Sequence, residues 1–236
     1  MKKQIPNIIT LCNQLSGIIA LIFAYNENFS NALLFLLIGA AFDFCDGATA
    51  RLLKVSSNIG KELDSLADMI TFGLVPGMVI YRVLCIQCDG NSDFIYQIIP
   101  YLGFIITLAS AYRLAKFNID ERQTSSFIGL ATPANAIFWL GLSVSYNNLL
   151  LQIPHWAILI LVIIFSFLLI SESPMFSLKF HNFKWKENII RYVFLIGIIV
   201  LGVIFQINAL PIIILWYILL AIIDNIISRK KINAIK

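Results

Sequence analysis

The sequence predicts an all-α fold, a polytopic membrane bundle of about eight transmembrane helices with both termini cytoplasmic. Three observations predict it. Of 236 residues, 59% are hydrophobic and 13% charged, with a mean hydropathy of +0.86; water-soluble domains do not have this composition. Charge-free runs recur, each long enough for the about 20 apolar residues that carry a helix across ~30 Å of hydrocarbon. Lys and Arg alternate from loop to loop, and positive residues near span ends stay inside.

Residues 4–26 carry no charge and make the first crossing, at about 7–25. The second and third, about 31–52 and 62–86, flank a segment dense in aspartate. Residues 94–112 are again charge-free and give a fourth crossing over about 94–116. The charge-free stretch 123–171 is too long for one span, and "YNNLLLQIPH" in its middle supplies a polar and proline break between spans at 127–147 and 153–171. The stretch 192–223 divides likewise at "QINALP", giving 189–207 and 210–228.

The segments "MKK", "RLLKVSSNIGK", "RLAKFNIDERQ", "SLKFHNFKWKENIIR" and "SRKKINAIK" are basic and are expected inside. The opposite loops "NENFS", "QCDGNSDF", "YNNLLLQIP" and "INALP" hold no Lys or Arg, and only Arg82 falls towards the outer side. The net charge of +4 is therefore a topology signal, and no nucleic-acid partner is expected. The first apolar segment lacks a small-residue cleavage site and reads as a retained span. Cys12, Cys45, Cys85 and Cys88 are too few and scattered for a disulfide framework; "CIQC" at 85–88 reads as small apolar core.

The segment "DFCDGATARLLKVSSNIGKELDSLAD", residues 43–68, interrupts this apolar pattern with four aspartates. Each charge at membrane depth costs about 2.5–3.5 kcal/mol on insertion scales. Solvation at helix ends, or pairing with lysines, is the bland account. Spacing opposes it: Asp43 and Asp46 share a helical face at i,i+3, and Asp64 and Asp68 share one on the next helix at i,i+4. The short connection makes these helices antiparallel neighbours, so the pairs meet at matching depth. Gly47, Ala48, Ala50, and Gly60 just before the second helix, leave room for close approach of backbone and ligand. With only Arg51, Lys54 and Lys61 nearby, the cluster calls for divalent cations. Hard oxygen ligands without His or thiolate favour Mg²⁺ or Mn²⁺, and four carboxylates suffice for two ions around a phosphoryl group.

Asp43, Asp46, Gly47, Ala50, Arg51, Gly60, Asp64 and Asp68 match the pattern Asp-x-x-Asp-Gly-x-x-Ala-Arg, eight residues, Gly, three residues, Asp, three residues, Asp. This resembles the signature of the CDP-alcohol phosphotransferases. The resemblance implies an enzyme that displaces CMP from a CDP-linked lipid by an alcohol. It implies that the four aspartates hold two metal ions, that Asp68 also acts as the base for the acceptor hydroxyl, and that Gly47, Ala50, Arg51 and Gly60 line the CDP site. Arg suits bidentate phosphate contact, and glycine lets backbone approach a nucleotide. "IPNIITLCNQLSG" resembles the same family, which places Asn7 and Thr10 at the nucleotide; a helix start with Pro6 in its first turn and Asn7 or Thr10 as capping groups accounts for them equally. The resemblance also implies a homodimer and one membrane-embedded domain over 1–236, with a core at about 1–190 and accessory helices at about 189–228.

"SAYRLAKFN", 110–118, and "FIGLATPANA", 127–136, resemble segments of integral-membrane phosphatidylserine synthases, with Lys116 where Arg is usual and Ala131 where Pro is usual. The expected reaction moves the phosphatidyl group of CDP-diacylglycerol to the hydroxyl of L-serine, giving phosphatidylserine and CMP at the cytoplasmic face. Arg113, Lys116 and Asn118 are the candidates for recognising the acceptor; as alternatives, Arg113 and Lys116 snorkel to the interface and Asn118 caps a helix. Lys116 keeps the charge but loses the planar fork. Glycerol 3-phosphate and inositol phosphate remain alternative acceptors on charge alone. Ser56, Ser57 and Ser65 lack a neighbouring His, so no covalent intermediate is expected. A divalent-cation transporter would also place paired acids in a membrane, but its acids belong near the midplane with access from both sides. Glu172 is expected at the interface, Asp224 beside Arg229 or a lysine, and His155 and His181 in loops on opposite sides.

Overall fold

The computed structural model describes residues 2, 4–55, 57–120, 127–176, 184–185 and 188–235, with backbone alone for 127 and 228–235. Among the described residues the regular structure is helical except for a two-residue antiparallel pairing of β1 (Phe127–Ile128) with β2 (Pro174–Met175). His181 and Ser56 lie outside the described residues, as does the side chain of Arg229.

Helix α1 (Gln4–Tyr25) and helix α2 (Phe29–Leu53) form a hairpin. Asn28 caps α2 by accepting from the Asn31 amide at 3.2 Å, and the helix ends where Lys54 turns left-handed at φ 53°. Helix α3 (Asn58–Asp68) starts at Ser57, whose Oγ accepts from the Gly60 amide at 3.0 Å. Gly60 therefore sits inside the first turn of the helix, where the sequence had placed it just before. A π-helical segment, Met69–Leu74, joins α3 to α4 (Val75–Cys88) without a break. Within it the Gly73 carbonyl accepts the Thr107 hydroxyl at 2.9 Å. Next come α5 (Phe94–Ile98), a 3₁₀ turn and α6 (Ile105–Ile119), then α7 (Thr132–Ser145), α8 (Asn147–Gln152), α9 (His155–Ile170), α10 (Ile189–Phe205) and α11 (Ala209–Ile235).

Among the described residues five helical stretches are long and apolar enough to cross a membrane: Gln4–Tyr25, Phe29–Leu53, Asn58–Cys88, Phe94–Ile119 and Ile189–Ile227. The last is a hairpin rather than one rod. A Cβ on Gly197 would overlap the Trp216 indole, although a straight helix would hold these residues about 28 Å apart; the chain reverses at Gln206, at φ 49°. The expected span at 127–147 is shorter in the structure. Gly129, at φ 73°, crosses the end of α9 so closely that a Cβ would lie 2.7 Å from the Leu169 carbonyl oxygen. Residues 127–131 are thereby diverted into the β1 pairing and an extended connection. That leaves 14 residues in α7 and 16 in α9, about 21 and 24 Å of helix.

Contacts gather the connections at two ends. At one end Glu27 pairs with Arg82, whose guanidinium lies over Tyr25, Gln87 donates to the carbonyls of Leu150 and Ile153, and Tyr96 meets His155. Ser145 reaches the Ile207 carbonyl there too. At the other end Lys61 reaches the Asn118 carbonyl, Lys116 pairs with Glu172, and Asn225 donates to the Pro174 carbonyl. Cys85 and Cys88 are free thiols. Between the ends lies an apolar core built on Leu33, Leu36, Phe72, Val79, Leu84, Ile106 and Trp139.

Small residues set the spacing at its centre, as they do where helices meet without a solvent-driven force. A Cβ on Gly17 would overlap Thr71 and come within 2.9 Å of its Cα, and one on Gly39 would come within 2.8 Å of its Cγ2. Gly202 has open space around it. Gly17→Ala is expected to cost about 1–3 kcal/mol by overpacking, lowering the melting temperature of the detergent-purified protein by about 2–10 °C. Gly202→Ala should leave it unchanged in the same melt.

Candidate active site

The left-handed Lys54 ends α2 and the Ser57 cap starts α3, and α1 packs against both helices. Periodicity then turns the acidic faces toward each other. Carboxylate oxygens of Asp43, Asp64 and Asp68 lie within 4.8 Å of one another. Asp46 stands beside this trio, 6% exposed, its Oδ2 accepting the Thr10 hydroxyl at 2.6 Å. Asp68 accepts from Asn13 Nδ2 at 3.2 Å, and the buried Oδ1 of Asp64 has no hydrogen-bond partner. Three unit charges at this separation repel by about 3–4 kcal/mol per pair at an effective dielectric of ~20. Among the described residues no Lys or Arg forms an ion pair with them. Hard oxygen donors, an orphaned buried oxygen and negative charge without an ion-pair partner among the described residues together fit a divalent cation such as Mg²⁺ or Mn²⁺.

A cavity of about 270 Å³ opens beside the trio. Asn7, Thr10, Gly47, Ala50 and Gly60, five of the six residues expected at a nucleotide, line it together with Asp46 and Asp64. Gly60 sits tightly: a Cβ there would stand 2.9 Å from Ser57 Oγ and 3.0 Å from Asn7 Oδ1, so that one of these side chains would have to move. Arg51, the sixth, is outside the lining; it is exposed, and its Nη1 folds back to 3.6 Å from where a Gly47 Cβ would be. Ser57 and Lys61 also line the cavity. The sequence reading gave Ser57 no role, although a Ser three residues before Gly60 is a recognisable helix-capping signal.

The three acceptor candidates are not equally placed. Arg113 is buried, with Nη1 3.4 Å from the Thr132 hydroxyl, its guanidinium over the Phe117 ring, and Nε without a hydrogen-bond partner. It interacts electrostatically with Asp68. Lys116 is engaged by Glu172 at 3.0 Å on the exposed flank. Asn118 donates to Ser65 Oγ at 2.8 Å while its carbonyl takes Lys61 Nζ at 2.7 Å, so it clamps α6 onto α3. Of the three, only Arg113 brings an unpartnered polar atom to the buried side. Asn13 was missed by the sequence reading; its signal is its position one turn beyond Thr10 on the same face of a charge-free helix.

Comparison with known proteins adds to this geometry. The family model "CDP-alcohol phosphatidyltransferase" matches residues 3–223. A CDP-diacylglycerol–serine O-phosphatidyltransferase of Bacillus subtilis is 34% identical over 186 residues, covering 77% of this chain and 92% of that one. One of the same name from Methanocaldococcus jannaschii is 28% identical over 194 residues, covering 82% and 81%. An archaetidylserine synthase of Methanothermobacter thermautotrophicus is 30% identical over 135 residues, covering 56% and 54%.

If the trio holds a cation, Mn²⁺ at a hundredfold excess over its dissociation constant should stabilise the fold by about 2.7 kcal/mol and raise the melting temperature by about 5–10 °C. Asp43→Asn, Asp64→Asn and Asp68→Asn should each remove most of that rise. Glu172→Gln, far from the trio in role, should retain it.

Proposed function

The chain belongs to the CDP-alcohol phosphatidyltransferase family, and from that premise we propose that it transfers the phosphatidyl group of CDP-diacylglycerol to L-serine. The observation that carries the reading is the convergence of Asp43, Asp64 and Asp68 beside a cavity walled by the glycine face of the motif. The serine acceptor is supported by the names of the relatives and by Arg113, a buried guanidinium able to meet a carboxylate.

The cytidine diphosphate would lie along Asn7, Gly47, Ala50 and Gly60, where backbone approaches closely, with Lys61 in the wall and Arg51 at the mouth as counter-charges. Asp43, Asp46, Asp64 and Asp68 would hold two divalent ions, Mg²⁺ or Mn²⁺; when bound, they supply neutralisation and polarisation of the pyrophosphate. Arg113 holds the serine carboxylate and so presents its hydroxyl. Asp68 takes the hydroxyl proton as the serine oxygen bonds to the phosphorus that bears diacylglycerol. The phosphoanhydride bond breaks, and CMP departs with the bridging oxygen and its electron pair. No enzyme-bound phosphatidyl intermediate is needed.

The same proposal places one catalytic domain in the membrane as eight crossings, with α1 to α9 as core and α10 and α11 as accessory helices, working as a homodimer. The cavity end faces the cytoplasm. In support, Arg51, Lys54, Lys61, Lys116 and Arg191 belong to the cavity end, whereas Arg82 at the other end is neutralised by Glu27.

The test is CMP release by the purified protein in lipid vesicles containing CDP-diacylglycerol with Mg²⁺ or Mn²⁺, comparing L-serine, glycerol 3-phosphate and inositol phosphate. Serine alone should support turnover. Asp68→Asn should lower kcat by about 10²–10⁴-fold, and Arg113→Leu should raise the serine KM by about 10–100-fold with the KM for CDP-diacylglycerol nearly unchanged. Turnover with another alcohol would leave the aspartate site standing and overturn the role of Arg113. Absence of CMP with every acceptor would return attention to cation transport.

A further inference from the structure

Asn13 has no part in the reaction described above, yet it is held more closely than most residues that do. It lies in α1 at 0% exposure, where a side-chain amide needs partners. Nδ2 donates to Asp68 Oδ1 at 3.2 Å, and its backbone carbonyl accepts the Thr71 hydroxyl at 3.2 Å. Its Oδ1 has no hydrogen-bond partner and faces Gly39, where a Cβ would come within 3.1 Å. Thr71 in turn is wedged between Gly17 and Gly39. One residue of α1 thus grips the chain at Asp68 and again three residues later, at the junction of α3 with the π-helical segment.

An ionised carboxylate only accepts, so the contact requires the amide NH₂ to face Asp68. Thr10 stands one turn earlier on the same face and reaches Asp46; α1 therefore contacts one aspartate from each acidic helix. We propose that Asn13 is a positioning residue for Asp68. By occupying Oδ1 it holds the carboxylate in one orientation and leaves Oδ2 for the acceptor proton and for the Asp43–Asp64 side of the cluster. The inference rests on Asp68 being the base. A residue that only tied α1 to α3 would affect stability, whereas a positioning residue affects the rate at saturation.

The experiment compares the full chain in lipid as wild type, Asn13→Leu, Asn13→Ala and Asp68→Asn, measuring kcat, both KM values and the melting temperature. Leu keeps the heavy-atom count and γ-branching of Asn, is bulkier and is at home in a membrane helix, whereas Ala leaves space; the two variants err in opposite directions, so either carries the test if the other fails to fold. Loss of the bond to a charged group should lower kcat about 10–100-fold in both variants. Both KM values should stay within about threefold and the Leu melting temperature within a few degrees. The proposal is overturned if Asn13→Leu keeps its kcat, if its loss falls wholly on a KM, or if activity declines only in step with melting. Should Asp68→Asn itself turn over normally, the reading of Asp68 fails and the role of Asn13 with it. Inactive Asp68→Asn beside active Asn13→Leu would fault the inference about Asn13 alone.

Discussion

Three carboxylates within 4.8 Å of one another, one from the apolar α2 and two from the amphipathic α3, are the constraint on which the rest of the bundle depends. Their mutual repulsion acts to separate α2 from α3, so the attraction that keeps these helices together has to be built around them. Ser57 ties down the first turn of α3, Lys54 closes the reversal, and Asn118 and Lys61 clamp α6 across the outside. Thr10 and Asn13 approach from α1 with the donors that the aspartates need. Each device places a neutral dipole or a distant cation near the cluster rather than a salt bridge within it. A Lys or Arg inserted among these aspartates would cancel the charge that makes the site suitable for a divalent ion.

The same economy appears deeper in the bundle. Helices surrounded by lipid gain little from hydrophobic association and rely on close contact and interhelical hydrogen bonds. Gly17 and Gly39 admit Thr71, Gly77 abuts Thr107, and Gly141 admits Leu210 and Pro211 from α11. Apolar side chains such as Ile163, Phe167 and Val203 point outward instead. The π-helical segment belongs to this scheme. It follows Asp68 directly, and the hydroxyl of Thr107 donates to its Gly73 carbonyl. A departure from α-helical geometry beside functional residues is common, because it re-aims side chains without breaking the chain.

Much of this was legible in the sequence because the signals were local. Charge-free runs and basic loops gave the helical membrane fold, and spacing within 43–68 gave two acidic faces that do meet. Five of six residues expected at the nucleotide line one cavity. What could not be read depended on where other elements lie. Asp46 differs from the other three through a hydroxyl on α1, 36 positions earlier. Lys116 meets a glutamate 56 positions later, and Asn118 meets a serine 53 positions earlier. Hydropathy also overran the start of α7, since it registers the apolar character of 127–131 and not the contact of Gly129 with the end of α9. Asn13 stands among Thr10, Gln14 and Ser16 in one charge-free helix, and only the position of Asp68, 55 residues later, singles it out.

Cavity size and surface character together say how such a site can serve a lipid. A volume of about 270 Å³ is at or below the lower end for small-molecule sites, which span roughly 300–1,000 Å³, and could not enclose a diacylglycerol as well as a nucleotide. For the substrate proposed above, the polar end must enter while the acyl chains stay outside. The flanks suit that division. Phe44 and Leu52 on α2 and Ile59 and Leu66 on α3 are large, apolar and exposed, on the two helices that carry the aspartates. In the proposal above, chains lying along these residues would stay in the hydrocarbon while the headgroup reached the acidic cluster. A site at one end of the bundle, rather than at its middle, would also let a water-soluble acceptor approach from the aqueous side, which is the arrangement that the proposed lipid donor and polar acceptor need at once.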